Sequence, residues 1–210
     1  MFGVSRFKGK VILIAGAEHP VGASLSERLA RFGARVVAVG WSDVALLDLA
    51  ARSPSRIETL ALSQGRRDVL ELLRDAWGEE PLHGYIDLMP ILESDRNLSA
   101  RNAFDQSAGL ARAMTLGLRA GHARAVMAIP QASGQAPEAE PHGAGHVALM
   151  QRIAEDIRPA RLVGLSLPGP GFDWTEKACV SAGDTILTLS HDVSRGIRAG
   201  TVVDWDNGRS

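Results

Sequence analysis

The chain has 210 residues, 45% of them hydrophobic and 22% charged, with 22 glycines, which suits one α/β domain over 1–210 with a sizeable core. Its 23 basic and 24 acidic residues are intermixed and nearly cancel, leaving no basic stripe for nucleic acid or a membrane surface. One cysteine, Cys179, excludes an internal disulfide and fits a cytoplasmic protein.

Short apolar runs alternate with segments of helical period along the chain. The run 11–15 follows Arg6, Lys8 and Lys10, as a signal peptide's apolar core would. It is too short for that and leads into a glycine turn, so it reads as the first strand. Residues 21–32 form a helix with Val21, Leu25, Leu29 and Phe32 on one face. A strand over 35–39, a helix over 44–51 and a strand over 58–62 follow. Residues 67–77 have helical spacing, and 84–89 form a fourth strand. A long helix over 100–118 carries small residues at Ala108, Gly109, Ala111 and Ala113, suited to close packing. After a strand over 125–129 comes a polar loop, 131–141. A helix over 143–157, a strand over 162–167, a short helix over 185–191 and a last strand over 201–204 complete the pattern. No apolar stretch approaches the ~20 residues of a membrane span. This alternation implies a doubly wound, mostly parallel sheet with helices on both faces.

The turn Ala15-Gly16-Ala17-Glu18-His19-Pro20-Val21-Gly22 lies between the first strand and the first helix. In dinucleotide folds this position brings backbone N–H groups and a helix N-terminus to a pyrophosphate. Its spacing resembles the Thr-Gly-x-x-x-Gly-x-Gly turn of the short-chain dehydrogenase/reductase family. Gly16 and Gly22 match the outer glycines, while Ala15 and Pro20 replace the threonine and the middle glycine. Leu167-Pro168-Gly169-Pro170 resembles the family's Pro-Gly segment beside the nicotinamide. Residues 200–208 resemble its last strand, and Ala144 to Leu149 resembles the helix after the catalytic tyrosine. The resemblance covers roughly residues 6–208 and implies seven strands in the order 3-2-1-4-5-6-7.

The resemblance also implies hydride transfer with NAD or NADP, driven by a tyrosine whose pKa of ~10 a lysine four residues on brings down. Here those positions read His142 and His146. The serine position reads Gln131 and the asparagine position Gln106. Residue inventory excludes the usual pair: the only tyrosine is Tyr85, and the three lysines are Lys8, Lys10 and Lys177. Cofactor contacts erode as well. Gly40 stands at the acidic position after the second strand and Trp41 at the arginine of the alternative preference. Ser63 stands at the adenine-facing aspartate, and Asp87-Leu88-Met89-Pro90 replaces Asn-Asn-Ala-Gly. The cofactor-binding candidates are Gly16, His19, Gly22, Trp41, Ser63, Met89, Pro168 and Gly169. His19 stands where phosphorylated-cofactor enzymes of the family often carry a basic residue.

Three readings compete for His142 and His146, four apart on one helix face: relics, a substitute acid/base at His142, or the start of a metal site. The last lacks the glutamate of a His-Glu-x-x-His motif, so no metal is assigned. Trp41, Trp174 and Trp205 read as cover for core or interface, Trp41 with the alternative of stacking on adenine. The leading expectation is a family-like protein with a degenerate site that acts by binding, as a non-catalytic subunit, scaffold or ligand-sensing regulator. The alternative is an NAD(P)-dependent oxidoreductase on a carbonyl or alcohol, with His142 as acid/base. The resemblance implies a homodimer, or a heteromer with an active relative, through helices 100–118 and 143–157. A small-molecule ligand is compatible with either reading.

Overall fold

The computed structural model describes residues 7–62, 67–77, 80–92, 100–131, 140–169, 172–191 and 196–206. Strand β1 (Val11–Ala15) is buried along its whole length, because a parallel sheet is covered on both faces. The two-residue period sorts its side chains. Ile12 and Ile14 enter one core layer, with Leu25 and Leu29 of α1 (Pro20–Arg31), Leu46 and Leu49 of α2 (Asp43–Arg52) and Ile186 of α7 (Glu176–Leu189). Val11, Leu13 and Ala15 enter the other. They meet Leu73 of α3 (Arg67–Trp77), Leu110 of α4 (Ala100–Ala113), Leu118 of α5 (Thr115–Ala120) and Ile153 of α6 (Glu140–Asp156).

The sheet has seven strands. With β2 (Arg35–Gly40), β3 (Ile57–Ala61), β4 (Gly84–Asp87), β5 (Arg124–Pro130), β6 (Arg161–Leu167) and β7 (Val202–Asp204), its order is β3-β2-β1-β4-β5-β6-β7, with every pair parallel. This is the expected order. The chain reverses its direction across the sheet between β1 and β4, where Ala15 pairs with Asp87. Ligands of open α/β sheets bind beyond the carboxyl ends of strands at such a reversal.

Three expected elements need correction. The helix over 100–118 is two helices broken at Met114, whose φ of −93° and ψ of 1° leave the helical region. Leu110, Met114 and Leu118 are all buried at four-residue spacing, so the apolar pattern runs through the break unseen. The short helix over 185–191 is α7, which begins nine residues earlier, at Glu176, and is capped by Thr175 Oγ1 accepting the Ala178 N–H at 3.2 Å. Its first half packs through Ala178, Cys179, Ala182 and Gly183, residues too small to print an apolar period. The fourth strand stops at Asp87, and Met89–Ile91 forms a 3-10 turn led by Pro90. The loop expected over 131–141 lies outside the described residues between 132 and 139, and α6 already begins at Glu140.

Candidate functional site

The crevice is bounded by the turn after β1, the end of β2 and the turn after β4. Gly16 has a φ of +75°, which only glycine adopts without strain. A β-carbon there would meet Leu92 Cδ1 at 2.8 Å and the Leu88 carbonyl carbon at 2.9 Å. At Gly22 a β-carbon would meet the Gly16 oxygen at 2.7 Å, so α1 packs tightly on the turn. Both matched glycines thus have a structural reason that requires no ligand.

The N–H groups of this turn are turned inward. Those of Gly16 and Ala17 donate to the Val39 carbonyl at 2.8 and 3.0 Å, and that of His19 donates to the Gly16 carbonyl at 3.0 Å. Pro20, first residue of α1, has no N–H. The next donor, Val21 N–H, is taken by Nδ1 of His19, the N-cap residue, at 3.2 Å. His19 is buried and sits edge-on to Trp174, with ring centroids 5.1 Å apart. Trp174 stacks on Trp205 at 5.6 Å, and Phe172 meets both edge-on. This aromatic cluster, built from the segment after β6 and the end of β7, covers the start of α1. The expectation that Trp174 and Trp205 cover core is met.

The end of β2 is filled by Glu18. One carboxylate oxygen, Oε1, accepts the N–H groups of Trp41 and Ser42 at 2.8 and 3.1 Å. Ser42 is the N-cap of α2, so the carboxylate sits at that helix's positive end. The other oxygen, Oε2, is buried, makes no hydrogen bond among the described residues, and lies where a β-carbon on Gly40 would be. Gly40 is therefore more than a lost acidic residue: Glu18 delivers a carboxylate to the same place from another turn. Trp41 is half-buried against the second core layer.

At the end of β4, Asp87 is fully buried. It accepts the Tyr85 hydroxyl and the Met89 N–H, each at 3.0 Å. Ser107 of α4 approaches the same carboxylate without closing a well-aligned hydrogen bond. Burial pushes the Asp87 carboxyl up to about 6, against these three partners, which favour its ionised form. Burial and the neighbouring Asp87 push the Tyr85 phenol well above its ordinary value. The only tyrosine is thus sealed in the core and unable to exchange a proton with a ligand.

Of the expected catalytic positions, His146 is 2% exposed and its ring meets Phe104 edge-on at 5.9 Å. It is a core side chain on α6. His142 lies in the first turn of α6, and its side chain is outside the described residues, as is Ser63. Gln131, just past β5, is exposed, and its Nε2 lies 3.5 Å from the Ser166 carbonyl. Gln106 is half-buried in α4, Met89 is fully buried, and Pro168 and Gly169 follow β6 half-buried. Gly109 is occupied within the chain: a β-carbon there would meet Leu70 of α3 at 2.7 Å. Among the described residues no cluster of three or more metal-ligating side chains occurs.

Solved structures share this fold across nearly the whole chain. A protein assigned as a short chain dehydrogenase from Escherichia coli CFT073 superposes with a TM-score of 0.69 at 17% identity, over 98% of this chain and 100% of that one. A short chain dehydrogenase/reductase family protein gives 0.73 at 18%, over 96% and 97%. A protein assigned as a short chain dehydrogenase from Shigella flexneri 2a str. 301, complexed with NADP, gives 0.68 at 16%, over 96% and 99%. No family model and no curated protein matches the sequence. The fold is that of the short-chain dehydrogenases/reductases. On that fold, this chain carries neither tyrosine nor lysine in α6.

The residues present do not fit a phosphate at the turn after β1 or at the amino end of α2. Four N–H groups of the turn are used internally, and a carboxylate already sits at the amino end of α2.

Proposed function

We propose that this chain acts by binding rather than by hydride transfer, as a non-catalytic subunit, scaffold or ligand-sensing regulator on a short-chain dehydrogenase/reductase fold. One observation carries the reading: the consecutive residues Glu18 and His19 take up N–H groups at the amino ends of α2 and α1, two of the helix starts beside the turn after β1. A phosphate at either terminus must displace an internal partner, and at α2 it also meets a negative charge. The Glu18 carboxylate repels a phosphate at this place, so NADP is disfavoured more strongly than NAD.

Calorimetric titration with NAD(H) and NADP(H) tests this. The wild-type chain is expected to show no saturation by NADP(H), and Glu18→Ala to gain affinity for it. Wild-type binding of NADP at a micromolar constant, about −8 kcal/mol, overturns the reading and revives the oxidoreductase with His142 as acid/base. In that event, unchanged turnover in His142→Ala would remove His142.

We further propose that the outer faces of α4–α5 and α6 meet a partner chain, in a homodimer or a heteromer, as the resemblance implies. Light scattering on the purified chain reads this directly: a monomer at working concentration excludes the homodimer. We place the protein in the cytoplasm on the strength of its single, buried cysteine. Among the described residues no helix is long and apolar enough to cross a membrane.

A further inference from the structure

The amino ends of the strands, at the opposite edge of the sheet from the crevice, border a half-open cavity of about 250 Å3. Ile12, Leu29, Ile86 and Leu187 give it apolar walls. Around them stand Lys10, His83, His122, Arg124 and His191, and among the described lining residues none is acidic. Two of these, Lys10 and Arg124, are lysine or arginine, and the other three are among the chain's six histidines.

Two features bear on what the cavity takes. His83 Nδ1 accepts the Val11 N–H at 3.2 Å, which puts the proton of the neutral ring on Nε2 and leaves that N–H for a ligand. Burial, together with the charge of Lys10, holds His83 below its ordinary pKa. His122 is the only described non-glycine residue with positive φ, at 48°, directly after Gly121, the C-cap of α5. Glycine is the residue that position favours, and a β-carbon there costs about 1 kcal/mol. Histidine here occupies a backbone conformation that favours glycine.

Cations after helix carboxyl ends offset the macrodipole, and His122 and His191 follow α5 and α7. Two such ends carry about one negative charge in total. Leu29 lies in the last turn of α1, so a third carboxyl end borders the cavity, while Lys10, His83 and Arg124 stand at the starts of strands.

We propose that this cavity binds a small organic carboxylate with an apolar body, its head held by Lys10, the His83 Nε2–H and His122 and its body by Ile12, Leu29 and Leu187. Arg124 and His191 have partners of their own within the fold, and Arg124 adds its positive charge to the rim. The site is independent of the crevice, so loss or gain of nucleotide binding leaves it standing.

The test uses the full chain with benzoate as probe, benzyl alcohol as its neutral counterpart and inorganic phosphate as a head without a body. Calorimetry is expected to show saturable binding of benzoate at one site. Because Nδ1 accepts the Val11 N–H, His83 meets the carboxylate as a neutral Nε2–H donor, and the permanent positive charges around the head are Lys10 and Arg124. Lys10→Met and His83→Gln are each expected to weaken benzoate roughly tenfold, the worth of one charged hydrogen bond. His122→Gly separates binding from architecture: it is expected to raise the thermal midpoint while weakening benzoate. The proposal is overturned if benzoate does not saturate, or if benzyl alcohol or phosphate binds as tightly. It is equally overturned if Lys10→Met and His122→Gly leave the affinity unchanged.

Discussion

The Glu18 carboxylate occupies the space in which a side chain on Gly40 would begin, bridging the first turn of the fold to the start of α2. Gly40→Ala must therefore push the carboxylate off the Trp41 and Ser42 N–H groups, at an expected cost of about 1–3 kcal/mol. In a Glu18→Ala background the same change should cost almost nothing. Denaturant unfolding of the four chains measures the coupling, which should exceed about 1 kcal/mol. Additive effects would mean that the two residues do not share this space.

Asp87 gives a pH signature of opposite sign to an ordinary paired carboxylate. Its folded pKa is raised from 3.8 to about 6, so folding favours the protonated form. The contribution is complete below the unfolded value and is lost as pH rises through about 6. It amounts to up to roughly 3 kcal/mol. Asp87→Asn has no such titration. The stability of wild type relative to this variant should fall between about pH 4 and pH 7. A difference that stays flat over that range refutes the buried, proton-binding carboxylate. Glu58 acts the other way: its hydrogen bond to Arg35, at 2.6 Å, lowers its pKa, so its contribution is lost as pH falls. Comparing the two chains cancels that term.

Restoring the missing pair should fail. In the double variant His142→Tyr with His146→Lys, the lysine enters a position 2% exposed and packed on Phe104. An unpaired ammonium there costs several kcal/mol. The expected outcome is a lowered unfolding midpoint and no carbonyl reduction with NADH or NADPH. A stable, active double variant would show that position 146 opens to the crevice.

His19 is a helix cap first. His19→Ala should destabilise the chain by about 1 kcal/mol through the lost acceptor for the Val21 N–H, while His19→Asn, which can still cap, should recover most of it. Thermal unfolding of both variants reads this. Equal losses would shift the weight to the edge-on contact with Trp174.

The doubly wound parallel sheet was legible because apolar runs of strand length alternate with helical periods, while the strand order was what the family resemblance implied. The break at Met114 was not, since Leu110, Met114 and Leu118 keep helical spacing through it. Nor was the first half of α7, whose inner face is Ala and Gly rather than large apolar residues. In the crevice, Glu18 was visible in the sequence only as one residue of the turn after the first strand. Its hydrogen bond to Trp41, 23 residues on, was not.

By itself the sequence determined the layered fold and the absence of a tyrosine–lysine pair, because periodicity and residue inventory are properties of the chain in one dimension. Only the tertiary structure decided that Glu18 fills the end of β2, that His146 is a core side chain, and that Lys10, His83 and His122 gather around one cavity. Periodicity states which face of an element turns inward. It does not state which polar groups of distant elements meet there, and those meetings are fixed by how strands pair and helices pack above them.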